Sequence, residues 1–148
     1  MEASLSGTGH FYEIPDEAGG SLTGLSSKSE WYDALGNWIK PSSPNLNAWQ
    51  ELQHGWIWAL QNQPPPLGRM FAGDIRTVPD GWGDPEVVFL GAKLVREIAG
   101  ALVTLDDAFF LTLLGEECSS GIWFRKPLTE FFNSAASRGN AIVVMWGD

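Results

Sequence analysis

The sequence predicts an α+β fold in a single domain, with about five helices packed on a small, mostly antiparallel sheet. Three observations lead there. Trp49, Leu52, Trp56 and Leu60 recur at helical spacing in residues 46–60, so two indoles and two leucines share one face of a central helix. About fifteen residues at 1.5 Å rise make that helix a rod of roughly 22 Å, on which the remaining segments are expected to pack. Runs rich in β-forming residues stand near both ends of the chain, with helical periodicities between them. The 148 residues fit one domain, and 44% hydrophobic against 18% charged residues point to a folded core without staples.

In chain order, residues 1–26 read as an acidic, loop-rich arm. Glu2, Glu13, Asp16 and Glu17 precede the first basic residue, Lys28. Within this arm, His10-Phe11-Tyr12-Glu13-Ile14 before Pro15 predicts a short edge strand, and residues 16–26, rich in Gly and Ser, predict a loop. Ser27-Lys28-Ser29-Glu30 has the form of a capping box, whose hydroxyl and carboxylate satisfy the first N–H groups of a helix. That helix carries Trp31, Leu35, Trp38 and Ile39 on one face and is ended by Pro41 and Pro44. Asn47 with Gln50 suits the cap of the central helix, which Pro64-Pro65-Pro66 stop outright.

Residues 67–85 show no sustained period. Gly68, Gly73, Gly81 and Gly83, with Pro79 and Pro85, mark a long loop of the kind that often carries function. Glu86-Val87-Val88-Phe89-Leu90 predicts a strand. Leu94, Val95, Ile98, Ala99 and Leu102 then form the buried stripe of a helix, with Lys93 and Glu97 one turn apart on its outer face. Thr104 and Asp107 suggest a further capping box, opening a short apolar helix through Phe109, Phe110, Leu113 and Leu114. Ile122-Trp123-Phe124 reads as a strand. Pro127 suits the first turn of a last helix that buries Phe131, Phe132, Ala135 and Ala136 and stops at Gly139. Residues 140–146 are apolar enough for a largely buried closing strand.

Eighteen acidic against nine basic residues give a net charge of −9. Such a surface repels nucleic-acid phosphates and anionic lipid, and it favours a basic protein partner. A single cysteine, Cys118, rules out an internal disulfide and fits a reducing, cytoplasmic compartment. No signal-peptide pattern or membrane-length apolar run is found, so a cytoplasmic protein without a membrane span is expected.

The order of features resembles the YfbM-like family of small bacterial α+β proteins. The resemblance rests on Trp49-x-x-Leu52, on Pro66-Leu67-Gly68 followed by Phe71-Ala72-Gly73, and on Gly81-Trp82-Gly83 with Pro85. It continues through Leu94-Val95-x-x-Ile98-Ala99-x-Ala101-Leu102 and Phe131-Phe132-x-x-Ala135-Ala136 before Gly139-Asn140. It covers roughly residues 45–146 and implies a fold, since the family brings no established reaction. In that family a histidine commonly follows the central tryptophan and another lies one turn on. Here those places hold Gln50 and Gln53, with His54 shifted by one, so any role of those histidines would be missing.

Candidate chemistry is thin. Glu51 and His54 stand one helical turn apart, the spacing of carboxylate-bridged metal bundles, but the second copy such a site needs is absent. Cys118 with His54 would make a nucleophilic pair, yet Glu116 and Glu117 beside the thiol disfavour the thiolate. Asp74, Asp80, Asp84 and Glu86 would supply a general acid and base or a calcium site if the loop brought them together; otherwise they are turn-forming and surface charges. Neither Gly81-x-Gly83 nor any other stretch forms a nucleotide-binding loop. No catalytic residue, metal or cofactor is therefore expected, and the chain reads as a non-enzyme. Eight tryptophans, about five of them expected in the core, combined with a strongly acidic surface suit a protein-binding face. The expectation is an interaction module of the immunity or antitoxin kind that blocks a basic toxin. The rival is a hydrolase or small-ligand-binding domain using loop 67–86. Candidate contact residues are Trp49, Gln53, His54, Asp74, Asp80, Trp82, Asp84 and Glu86.

Overall fold

The computed structural model describes residues 9–47, 56–77, 86–115 and 122–146. Its spine is a strand. Residues Ala141–Trp146, here β5, contain no polar side chain, and a strand without a polar face must be covered on both. With β1 (His10–Ile14), β2 (Asn45–Asn47), β3 (Ile75–Arg76) and β4 (Glu86–Leu90) it forms a five-stranded sheet of order β2–β1–β5–β4–β3. Every pairing in it is antiparallel.

Register follows from alternation. Phe11, Val144 and Val88 lie side by side across β1, β5 and β4, and Tyr12, Val143 and Phe89 form the next row, facing the other way. Two cores result. On one face, Phe11, Val88, Leu90, Ile142 and Val144 meet α3 (Ile57–Gln61), α4 (Ala92–Leu102), α5 (Asp107–Leu114) and α6 (Arg125–Ser137). On the other, Tyr12, Ile14, Val87, Phe89, Val143 and Met145 are covered by α1 (Gly19–Leu22) and α2 (Lys28–Leu35). Six α-helices are thus assigned among the described residues, on both sides of one sheet.

Local signals were obeyed where they were strong. Ser27 and Glu30 make the reciprocal capping box, and Trp31, Leu35 and Ile39 are buried beneath it, with Trp38 half-buried at the rim. In α4, Leu94, Val95, Ile98, Ala99 and Leu102 are all buried. Pro127 is the third residue of α6, where no intrahelical N–H is needed.

Several expectations are corrected. The helix expected over residues 46–60 does not start at Leu46: Leu46 and Asn47 belong to β2, which shields the edge of β1, because unpaired edge groups of β1 outweigh a short stretch of helical period. The described part of that helix is α3. Trp56, just before it, and Leu60 are buried as expected, whereas Trp49 and Leu52 lie outside the described residues. Residues 16–22 are not loop but a 3-10 turn followed by α1, burying Ala18 and Leu22. The glycine there serves close approach, since a Cβ on Gly19 would stand 2.7 Å from the Phe89 ring. The loop of residues 67–85 begins with a 3-10 turn, Leu67–Arg69, and includes β3. The cap of α5 is Asp106, whose carboxylate accepts from the Phe109 N–H at 2.9 Å, while the Thr104 hydroxyl turns back to the Ala101 carbonyl. Residues 122–124 form a helical turn leading into α6, not a strand.

Candidate functional site

Two regions of the surface stand apart from the packed body. The first lies where α5 meets α6. α5 reads Asp-Ala-Phe-Phe-Leu-Thr-Leu-Leu, apolar almost all round, yet only Phe110 is fully buried. Leu111 is left exposed, Val103 is exposed just past α4, and Trp123 is 56% exposed on the turn before α6. Arg125 fastens this end of the molecule: its guanidinium pairs with Asp107 in the first turn of α5 and reaches the Leu105 carbonyl before it. Leu111 is one turn beyond Asp107 and Trp123 two residues before Arg125, so the ion pair ties the elements that carry them into one shoulder of the molecule.

That shoulder is rooted in the core through aromatic rings. Trp123 meets Phe124 edge-on at 5.8 Å, Phe124 meets Trp56 at 5.3 Å, and Trp56 meets Phe110 at 5.3 Å, which in turn abuts the half-buried Phe109. Edge-to-face rings at these separations attract beyond their buried area, so the exposed indole sits on a stiff base. Within this run of rings the Trp56 N–H is buried with no hydrogen-bond partner among the described residues.

The second region surrounds the start of α4. Gly91, at its N-cap, has no side chain to satisfy the first N–H groups, and two remote carboxylates do so instead. Asp74 accepts from the Gly91 N–H at 2.8 Å and Asp16 from the Ala92 N–H at 2.7 Å. The other oxygen of Asp74 pairs with Arg69 at 2.9 Å. No third His, Cys, Asp or Glu among the described residues joins them to make a metal-sized cluster. Beside Arg69, a recess of about 260 Å³ opens between the proline run and α4, lined by Pro65, Pro66, Arg69 and Glu97. It depends on a close turn: a Cβ on Gly68 would sit 1.9 Å from the Gln63 carbonyl oxygen.

A third polar cluster is internal. Glu13, only 3% exposed in β1, receives two bonds from Arg138, at 2.7 and 2.6 Å, and one from Asn140 at 2.7 Å. Burial alone would raise its pKa, but those hydrogen bonds and the Arg138 charge hold it below the usual carboxylate range. It joins the first strand to the turn before the last. His10, half-buried, stacks on Tyr12 at 5.5 Å; burial lowers its pKa.

Of the residues expected from sequence to carry contacts, Asp74 is placed in the clasp on α4, where both its oxygens are engaged. Glu86 opens β4 opposite Trp146. Trp49, Gln53, His54, Asp80, Trp82 and Asp84 lie outside the described residues, as do Glu51 and Cys118. Sequence reasoning missed Trp123, Asp16 and the Glu13–Arg138–Asn140 cluster as special positions. For Trp123 a signal was present, because in the expected strand it would already have faced away from Ile122 and Phe124.

No helix among the described residues is long and apolar enough to cross a membrane. No family model matches the chain, and no curated protein matches it. Among solved structures, the chain is similar to YfbM from Escherichia coli, described as a protein of unknown function. The two share 14% identity, with 92% of this chain and 97% of that one covered at a TM-score of 0.60. At that identity the likeness speaks of architecture alone: the chain has a YfbM-like α+β fold, as its motif order implied.

Proposed function

We propose that the chain is a protein-interaction module of the immunity or antitoxin kind, holding a basic toxin against the shoulder that carries Trp123 and Leu111. The observation that carries this reading is the exposed indole of Trp123. It is anchored from behind by Phe124 and Trp56, and the neighbouring helix α5 leaves Leu111 exposed. A rigid aromatic with a dry base is the residue type that dominates binding energy at protein interfaces. The net charge of −9, with Asp106 and Asp107 exposed at the head of α5, selects a basic partner and speeds its approach.

The test is titration of the purified product of the adjacent reading frame into the wild-type chain and into Trp123→Ala and Leu111→Ser, at low and high salt. Binding that weakens with salt, and weakens about tenfold or more in Trp123→Ala, is the expected result. Absence of binding at low salt, or equal affinity in the variants, would reject the reading.

A further inference from the structure

We infer that the recess between the proline run and α4 is a binding site for a small organic cation, a guanidinium or ammonium group on a short hydrocarbon stem. It is separate from the Trp123 shoulder and stands or falls without it. Size comes first. At about 260 Å³ the recess lies just below the roughly 300–1,000 Å³ of clefts that hold drug-sized ligands, so it suits a group of side-chain size and not a nucleotide.

Charge decides the rest. The Arg69 guanidinium is bound to Asp74 at 2.9 Å, and Asp74 is itself held by the Gly91 N–H, so this pair is fixed and close to neutral. Glu97 is different. It is exposed on α4 and makes no ion pair or hydrogen bond among the described residues, although Lys93 lies one turn before it. Among the described residues, the charge left over in the recess is therefore one carboxylate. An anion would meet it without compensation, and a neutral ligand would gain little from it. A cation satisfies it while its stem packs on the CH surfaces of Pro65 and Pro66. A planar guanidinium can further accept the geometry of a carboxylate through two parallel N–H bonds. The net charge of −9 adds a field that concentrates cations at the surface.

The experiment is a nitrogen-edited NMR titration of the full chain with n-butylguanidinium, n-butylammonium, neutral n-butylurea and a blocked tripeptide with a central arginine. Saturable shifts centred on Arg69 and Glu97 are expected with the two butyl cations at low millimolar concentration or below, and not with the urea. Glu97→Gln should weaken binding about tenfold, whereas the charge-matched Glu130→Gln on α6 should leave it within twofold. Both positions are exposed, and retained spectra will show that both variants fold. Equal or tighter binding of the tripeptide would support the site and identify its ligand as a basic peptide side chain; weaker binding would support it as a pocket for free cations. No saturation by about 20 mM, equal binding of n-butylurea, or equal loss in the two variants would overturn the proposal.

Discussion

The two faces of the sheet bury the same kind of strand residue and treat indoles differently. On the face covered by α1 and α2, the buried Trp31 donates its N–H to the Leu25 carbonyl at 3.1 Å, and the rim residue Trp38 donates to the Ser21 hydroxyl at 3.1 Å. On the face covered by α3 to α6, the buried Trp56 N–H has no partner among the described residues, and the aromatic chain it belongs to emerges at Trp123. The smaller face is closed: its apolar groups are covered and its indole donors are answered. The larger face ends in uncovered apolar surface. A face finished by its own chain has a structural task, and the unfinished one leaves the apolar surface that the proposed partner would cover.

The largest expected effect tests closure of the smaller face. Trp31→Ala should lose about 3–5 kcal/mol in urea unfolding, because it leaves a cavity under α2. Milder changes sharpen the contrast between faces. Trp31→Phe strips a hydrogen bond and leaves the Leu25 carbonyl without its donor, while Trp56→Phe removes a donor that already lacks a partner, so Trp31→Phe should be the costlier by about 1 kcal/mol. Equal losses at the two sites would erase the distinction.

Next comes the buried carboxylate that crosses from one end of the chain to the other. Arg138→Met should be destabilising because it leaves the buried Glu13 without its cation, though less so than breaking a fully buried pair, since Arg138 is half exposed. The pH dependence has a definite sign. With its folded pKa held below the unfolded value of about 4.3, Glu13 binds fewer protons folded than unfolded as pH falls through that region. Its contribution is full above the unfolded value and is lost as pH drops through the folded one. The wild type should therefore lose stability on acidification more steeply than Arg138→Met, measured as midpoint against pH.

These contacts also mark what could and could not be seen in the sequence. The stripe of α4, the Ser27–Glu30 box and the apolar run of β5 were legible because their causes lie within a few residues. The lining of β2 against β1 was not, since three residues of no distinctive period follow Pro44 and their reason for extending is the free edge of a strand over thirty residues earlier. Nor was the Asp16 bond to Ala92, 76 residues away, or that of Glu13 to Arg138, 125 residues away. Of the candidate site, Asp74 was read as a general acid or base, a calcium ligand or a turn-forming charge, and its bond to the N–H of Gly91, 17 residues on, was not legible. Trp123 was assigned to a strand, whereas it lies in the helical turn before α6.

That cap supplies the third expected effect. Asp16→Ala and Asp74→Ala should each destabilise by about 1 kcal/mol, the usual worth of a capping oxygen, and Asp74→Ala should be the larger because it also frees Arg69. Serine at Gly91, which would place its own oxygen at the N-cap, is no remedy: a Cβ there stands 3.0 Å from the Asp74 oxygen. A thermal scan of the three single variants is sufficient to rank them.

The smallest expected effect on stability separates the two faces most cleanly. Trp123→Ala removes a side chain that is already 56% exposed, so unfolding should shift by no more than about 0.5 kcal/mol. Its fluorescence tells more. Acrylamide quenching should lose an accessible component in Trp123→Ala, whereas Trp31→Phe should leave that component in place, because Trp31 is buried. If Trp123→Ala instead unfolds like a core variant, the indole belongs to the chain's own packing and the shoulder is not spare surface. If stability holds while salt-sensitive binding to a basic partner is lost, the aromatic chain from Trp56 outward has its purpose at the surface, in the contact it offers.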